Sequence, residues 1–184
     1  EVYLWNKCYN IEETTSLNLS SSGLTGDIPP EIGNLTNLDS LNLYHNRLTD
    51  IPPEIGNLTN LVSLNLYHNQ LTEIPPEIGN LTNLKKLSLG NNQLTEIPPE
   101  IGNLTNLERL SLNNNQLTGE IPPELGSLTN LTDLWLFNNQ LTGEIPQEVC
   151  DLIETNNLDS SFKGEGIFLG NNLINNIRYI YVIN

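Results

Sequence analysis

The chain has no methionine, only two histidines and two cysteines, and just seven basic residues among 184. Seven Lys and Arg against 22 Asp and Glu leave a net charge of −15. A phosphate backbone is held by clustered Lys and Arg, so this balance excludes nucleic acid, and an anionic membrane surface with it. No apolar run is long enough to span a bilayer, and the start lacks the basic segment and apolar core of a leader, so no membrane insertion is expected. A missing Met, at position 1 as elsewhere, suggests a mature chain from which a leader has been trimmed. His45 and His68, with no third ligand beside them, make only a weak metal site. No Gly-rich phosphate loop, nucleophile elbow or Cys–His pairing occurs. No catalytic group and no cofactor is expected, and the chain reads as a non-enzyme.

What is present is repetition. Lines begun at Leu38, Leu61, Leu84 and Leu107 align as LDSLNLYHNRLTDIPPEIGNLTN, LVSLNLYHNQLTEIPPEIGNLTN, LKKLSLGNNQLTEIPPEIGNLTN and LERLSLNNNQLTGEIPPELGSLTN. Self-similarity at a fixed period of this size means a solenoid, whose units bury their apolar faces against their neighbours. In the second line Leu61, Leu64, Leu66, Leu71, Ile74, Ile78 and Leu81 are the apolar positions, each worth up to about 1.5–3 kcal/mol when buried. The alternation around Leu64 and Leu66 predicts a short strand, and successive strands lie parallel about 4.8 Å apart. Asn46, Asn69, Asn92, Asn115 and Asn139 form one column, expected to satisfy backbone groups of adjacent turns at about 1 kcal/mol net per bond. Ser22 stands at that place in the first unit, so the ladder starts weakly.

The pattern L-x-x-L-x-L-x-x-N-x-L resembles that of the leucine-rich repeat family. The segments LTGDIPPEIGNLTNL and LTGEIPPELGSLTNL are similar to its plant-type, extracellular subclass, over Thr14 to about Val149. The resemblance implies an α/β-type solenoid, a right-handed superhelix with a parallel concave sheet and an irregular, 3-10 and polyproline convex side. It divides the chain into an N-terminal cap (1–13), six repeats (14–152) and a degenerate terminal repeat with a C-terminal cap (153–184). In that last part Ile167, Leu169, Asn172, Ile174 and Ile177 fall at repeat spacing. The closing RYIYVIN is β-prone and either covers the open end of the core or pairs with another chain in self-association. Trp5 and Cys8 resemble part of a cysteine-bearing extracellular cap whose usual cysteine pair is incomplete here. The location implied is extracellular or the cell surface, with the cytoplasm left open. Cys8 and Cys150 bound the array; about six turns separate them, on the order of 25–30 Å. A disulfide needs alpha carbons within about 7 Å, so they are not expected to pair.

The return path is set by Pro52-Pro53, Pro75-Pro76 and Pro98-Pro99, which favour an extended outer run. Gly26, Gly119 and Gly143 lengthen copies one, five and six, and the shorter middle copies are expected to change the curvature. Glu31, Glu54, Glu77, Glu100, Glu124 and Glu148 make one outer column, and Asp27, Asp50, Glu73, Glu96, Glu120 and Glu144 another. These read as a solvated face or as weak divalent-cation ladders. Sequons at Asn18, Asn34, Asn57, Asn80, Asn103 and Asn130 are either glycan acceptors or turn chemistry repeated by duplication.

Function is expected where copies differ. The outward strand columns read Ser16, Ser40, Ser63, Lys86, Arg109, Asp133; then Asn18, Asn42, Asn65, Ser88, Ser111, Trp135; then Ser20, Tyr44, Tyr67, Gly90, Asn113, Phe137; then Ser21, His45, His68, Asn91, Asn114, Asn138. Tyr44, His45, Tyr67, His68, Lys86, Arg109, Trp135 and Phe137 are therefore the candidate ligand-binding residues of the concave face, since exposed aromatics and Arg are the usual anchors of binding surfaces. The reading is a non-catalytic scaffold for a protein, peptide or glycan ligand. Two alternatives stay open: a structural or adhesion array, whose Thr ladders resemble those of ice-binding solenoids, and a consensus-style designed scaffold.

Overall fold

The computed structural model describes residues 1–158, 167–168, 170–171 and 173. The chain opens with a hairpin of β1 (Val2–Leu4) and β2 (Lys7–Tyr9), paired antiparallel. Its two-residue turn holds Trp5 and Asn6 at positive φ, the geometry that matches strand twist. Val2, Leu4 and Tyr9 point inward and cover the first turn of the array.

Six three-residue strands follow, one per repeat: β3 (Ser16–Asn18), β5 (Ser40–Asn42), β7 (Ser63–Asn65), β8 (Lys86–Ser88), β9 (Arg109–Ser111) and β10 (Asp133–Trp135). They form one parallel sheet in the spatial order β10-β9-β8-β7-β5-β3. Each central leucine pairs with the next, as Leu41 with Leu64, so the repeats are in register and equivalent residues stack in columns. A second, two-stranded sheet joins β4 (Thr25–Gly26) to β6 (Arg47–Leu48) beside Gly26. The repeat leucines and isoleucines are buried in one continuous core, with Leu19 and Leu24 of the first copy half-buried against it.

The convex side is built by the proline pairs. The first proline of each pair is extended, as Pro75 with φ −67° and ψ 142°, and the second opens a 3-10 turn such as Pro76–Asn80. The polyproline run is thus very short, because the second ring, lacking an N–H, is suited to the first position of a helical turn. Five such turns stack side by side. The glycine within each is required by its neighbour: a Cβ on Gly79 would stand 2.7 Å from the Glu100 carbonyl oxygen. After Pro146 the same place is taken by α1 (Gln147–Asn156), which runs on past residue 152. Here the glycine position holds Cys150, buried at the end of the row of 3-10 turns. Cys8 is exposed on the hairpin and Cys150 is buried, and no disulfide joins the two.

The asparagine column is a spine. Asn69 Oδ1 accepts from the Leu48 N–H at 3.1 Å, and its Nδ2 donates to the Leu43 and Leu66 carbonyls, both at 3.0 Å. Asn46 reaches back to the Ser22 and Leu24 N–H groups in the same way. The terminal repeat corrects the expected register by one residue. Asn171, and not Asn172, continues the spine: its Nδ2 donates to the Leu136 and Phe168 carbonyls at 2.9 and 3.1 Å, and its Oδ1 accepts from Leu141. The Leu136 N–H donates to Ile167, which puts Ile167 opposite Trp135 and Phe168 opposite Leu136. Leu169, Asn172, Ile174, Ile177 and the RYIYVIN segment lie outside the described residues. A second asparagine row ties the other side: Asn60, Asn83, Asn106 and Asn130 each donate to the threonine carbonyl one turn earlier, at 2.8–2.9 Å.

Candidate functional site

Each concave strand sends its central leucine inward and its flanking residues out. Where the residue after that leucine is Asn, its side chain closes a local turn: Asn42 Oδ1 accepts from the Tyr44 N–H and Asn65 Oδ1 from the Tyr67 N–H, both at 3.1 Å. The turn delivers the chain into left-handed backbone at the next column, Ser21, His45, His68, Asn91, Asn114, Asn138 and Gly170, with φ between 53° and 73°. Asn and His enter this region more readily than most residues. Residue choice in that column therefore answers partly to the backbone, a constraint the sequence reading assigned wholly to ligand contact.

Tyr44, His45, Tyr67 and His68 form one contiguous cluster on the second and third repeats. The tyrosine rings are 6.1 Å apart and tilted by 33°, and the imidazoles stack at 4.6 Å. Tyr44 is 40% exposed and Tyr67 half-buried. The Tyr67 hydroxyl accepts a hydrogen bond from the Asn91 amide. Stacked imidazoles hold their nitrogen lone pairs in near-parallel planes, so they do not converge on a shared ion. Among the described residues no group of three or more His, Cys, Asp or Glu is placed to hold a metal.

Beside the cluster lies an open hollow of about 560 Å³, lined by Gly23, His45, Arg47, His68 and Gln70 among others. Arg47 was not among the candidates, because it follows the spine asparagine and falls outside the strand columns. Of the two basic residues at the centre of the face, one is ion-paired. Arg109 pairs with Asp133 at 3.0 Å, and Lys85 with Glu108 at 2.9 Å. The Lys85 hydrogen bond and charge hold the Glu108 carboxyl below its ordinary range. Lys86 is exposed and has no carboxylate at ion-pair distance among the described residues. Trp135 stands half-buried at the far end, separated from the tyrosine cluster by two strands. Phe137 departs from expectation. It is only 2% exposed, so it offers no surface to a ligand; its repeat is the one on which the terminal turn at Ile167 docks. The concave candidates thus resolve into a Tyr/His cluster, Lys86, an ion-paired Arg109 and a separate Trp135.

Comparison with known proteins bears on what such a face belongs to. A family model described as "Leucine-rich repeat region" matches residues 63–183, "Leucine Rich repeats (2 copies)" matches 36–76, and "Leucine Rich Repeat" matches 13–35. The comparison with curated proteins gives no match. Among solved structures, the Arabidopsis receptor kinase HAESA in complex with the peptide hormone IDA and the co-receptor SERK1 is similar at 35% identity, TM-score 0.76, over 90% of this chain and 30% of that one. The plant peptide hormone receptor RGFR1 in complex with RGF2 is 46% identical over 75% of this chain and 23% of that one, TM-score 0.72. An internalin from Listeria monocytogenes is 28% identical over 92% of this chain and 45% of its own, TM-score 0.70. This chain spans less than half the length of each. Stacked parallel strands, an asparagine spine, proline-opened 3-10 turns and the family models agree: the chain belongs to the leucine-rich repeat family.

Proposed function

We propose that the protein is a non-catalytic, extracellular binding scaffold that takes a protein or peptide on its concave face. The observation that carries this reading is the Tyr44–Tyr67 and His45–His68 cluster, four ring side chains of two adjacent repeats brought together on the concave face. Aromatic groups of this kind supply most of the energy at interfaces. Similar solved structures in complex with peptide hormones support the same use of the fold. The lattice-like alternative is weaker at three threonines of one row. Thr49 donates its hydroxyl to Asp27 at 2.7 Å, and Thr118 and Thr142 donate theirs to the Thr95 and Gly119 carbonyls. Those hydroxyls are committed within the protein.

The test is a random peptide library displayed on phage and selected on the immobilised protein. Recovered peptides are then titrated against the wild type and the combined Tyr44→Ala, Tyr67→Ala, Trp135→Ala variant. Loss of binding with an unchanged melting temperature is expected, since these side chains lie outside the leucine core. Undiminished binding would move the site to the convex side or the caps.

A further inference from the structure

Copies two and three carry the same heptapeptide, SLNLYHN, at residues 40–46 and 63–69. In-register stacking sets these blocks side by side, yet the two tyrosines they present are in different states. The column neighbour of Tyr67 on the next strand is Gly90, and the Tyr67 ring leans into the space this residue leaves: a Cβ there would stand 2.7 Å from Tyr67 Cε2. The Asn91 amide donates to the hydroxyl of the same ring. Asn113 closes the far side of the gap, its Oδ1 also 2.7 Å from that Cβ position and held by the Ser111 hydroxyl at 2.7 Å. Tyr44 has Tyr67 itself as its column neighbour and remains exposed. One ring is clamped, and the other forms a step beside it.

We propose that Tyr67 is the anchor of the concave site, that Gly90 and Asn91 are positioning residues which lock its ring, and that the Tyr44–Tyr67 step takes two aromatic side chains from alternate residues of an extended peptide crossing the strands. The proposal rests on the peptide-binding reading above. An extended chain advances about 3.3 Å per residue, so alternate side chains on one face stand about 6.6 Å apart. The ring spacing of 6.1 Å fits that interval, whereas a polyproline turn of about 9.3 Å overshoots it. Aromatic partners add offset or edge-to-face stacking to the area they bury, and a ring already locked loses little freedom on binding. Lys86, on the strand after Tyr67, lies within electrostatic range of Glu108 but not at ion-pair distance, and is exposed to an acidic residue of the same peptide.

The phage-selected peptides are read for sequence and titrated by fluorescence polarisation against Gly90→Ala and Tyr67→Leu. Gly90 is not in left-handed backbone, and the atoms its new methyl would displace belong to side chains, so Gly90→Ala is expected to keep the fold and shift the ring. Enriched peptides should carry aromatic residues at alternate positions. They should bind both variants about tenfold more weakly, the scale of losing one anchor. Gly90→Ala should also change the tyrosine signal in near-ultraviolet circular dichroism while the far-ultraviolet spectrum stays put. If Gly90→Ala fails to fold, Tyr67→Leu decides, because it removes the ring without touching the glycine. Unchanged affinity in these variants, or peptides with no alternating aromatics, overturns the anchor while leaving peptide binding standing if the triple variant still abolishes it. Peptides that bind the triple variant at full strength, or a selection that recovers none, overturn both.

Discussion

Replacing Asn69 by Leu tests whether the asparagine column carries the solenoid. The exchange keeps the branched skeleton of the side chain, with bulkier methyl groups, and removes three hydrogen bonds, to the Leu48 N–H and to the Leu43 and Leu66 carbonyls. The consequences differ between those groups. Leu43 keeps Asn46 as a donor at 2.9 Å and Leu66 keeps Asn92 at 3.1 Å, so each carbonyl loses one of two partners. Leu48, fully buried, loses the acceptor that Asn69 supplies to its N–H. An unsatisfied buried donor costs about 1–3 kcal/mol, and each lost bond to a still-paired carbonyl about 0.5 kcal/mol, which together give about 2–4 kcal/mol. For a chain of this size that is about 4–16 °C in melting temperature. Ser22→Asn is the control. The first repeat has no earlier turn for a new amide to serve, so the change should be neutral or slightly stabilising. Thermal melts followed by circular dichroism decide the matter: a silent Asn69→Leu would mean that the column is not the hydrogen-bonded spine described here.

Gly79→Ala should lower stability by about 1–3 kcal/mol, since its methyl meets the Glu100 carbonyl oxygen at 2.7 Å; a denaturant midpoint equal to the wild type would show that the 3-10 turns can slide apart. Thiol titration should find Cys8 reactive in the native protein and Cys150 only after unfolding, as their exposure dictates. A monomer yielding a Cys8–Cys150 peptide on non-reducing mapping would contradict the extended array.

The period of the leucines made the fold legible, because each copy repeats the same inward set and in-register stacking follows from it. Legibility failed where counting failed. After α1 the interval to the next unit is no longer one period, and the run IFLGNNLIN offers two asparagines at acceptable spacing from apolar residues. Only the bonds from Asn171 to Leu136 and Phe168, and from Leu136 to Ile167, choose between them. The second asparagine row was hidden for another reason. Its bonds run to carbonyls of the preceding turn, and a carbonyl leaves no mark in a sequence.

The site divides along the same line. Column membership could be read from the alignment, and it correctly grouped Tyr44, Tyr67, His45 and His68. What a column cannot convey is which way a side chain leans, since that depends on the size of the residue in the next copy. Identical SLNLYHN blocks give a clamped tyrosine beside Gly90 and an exposed one beside Tyr67. Phe137 was misjudged on the same ground: outward alternation suggests exposure, but the repeat on which the terminal turn docks is no longer open sheet. In a solenoid each unit is read against its neighbours. A substitution such as Gly90→Ala therefore acts one repeat away from where it is made, and the effective unit of specificity on this face is a pair of repeats.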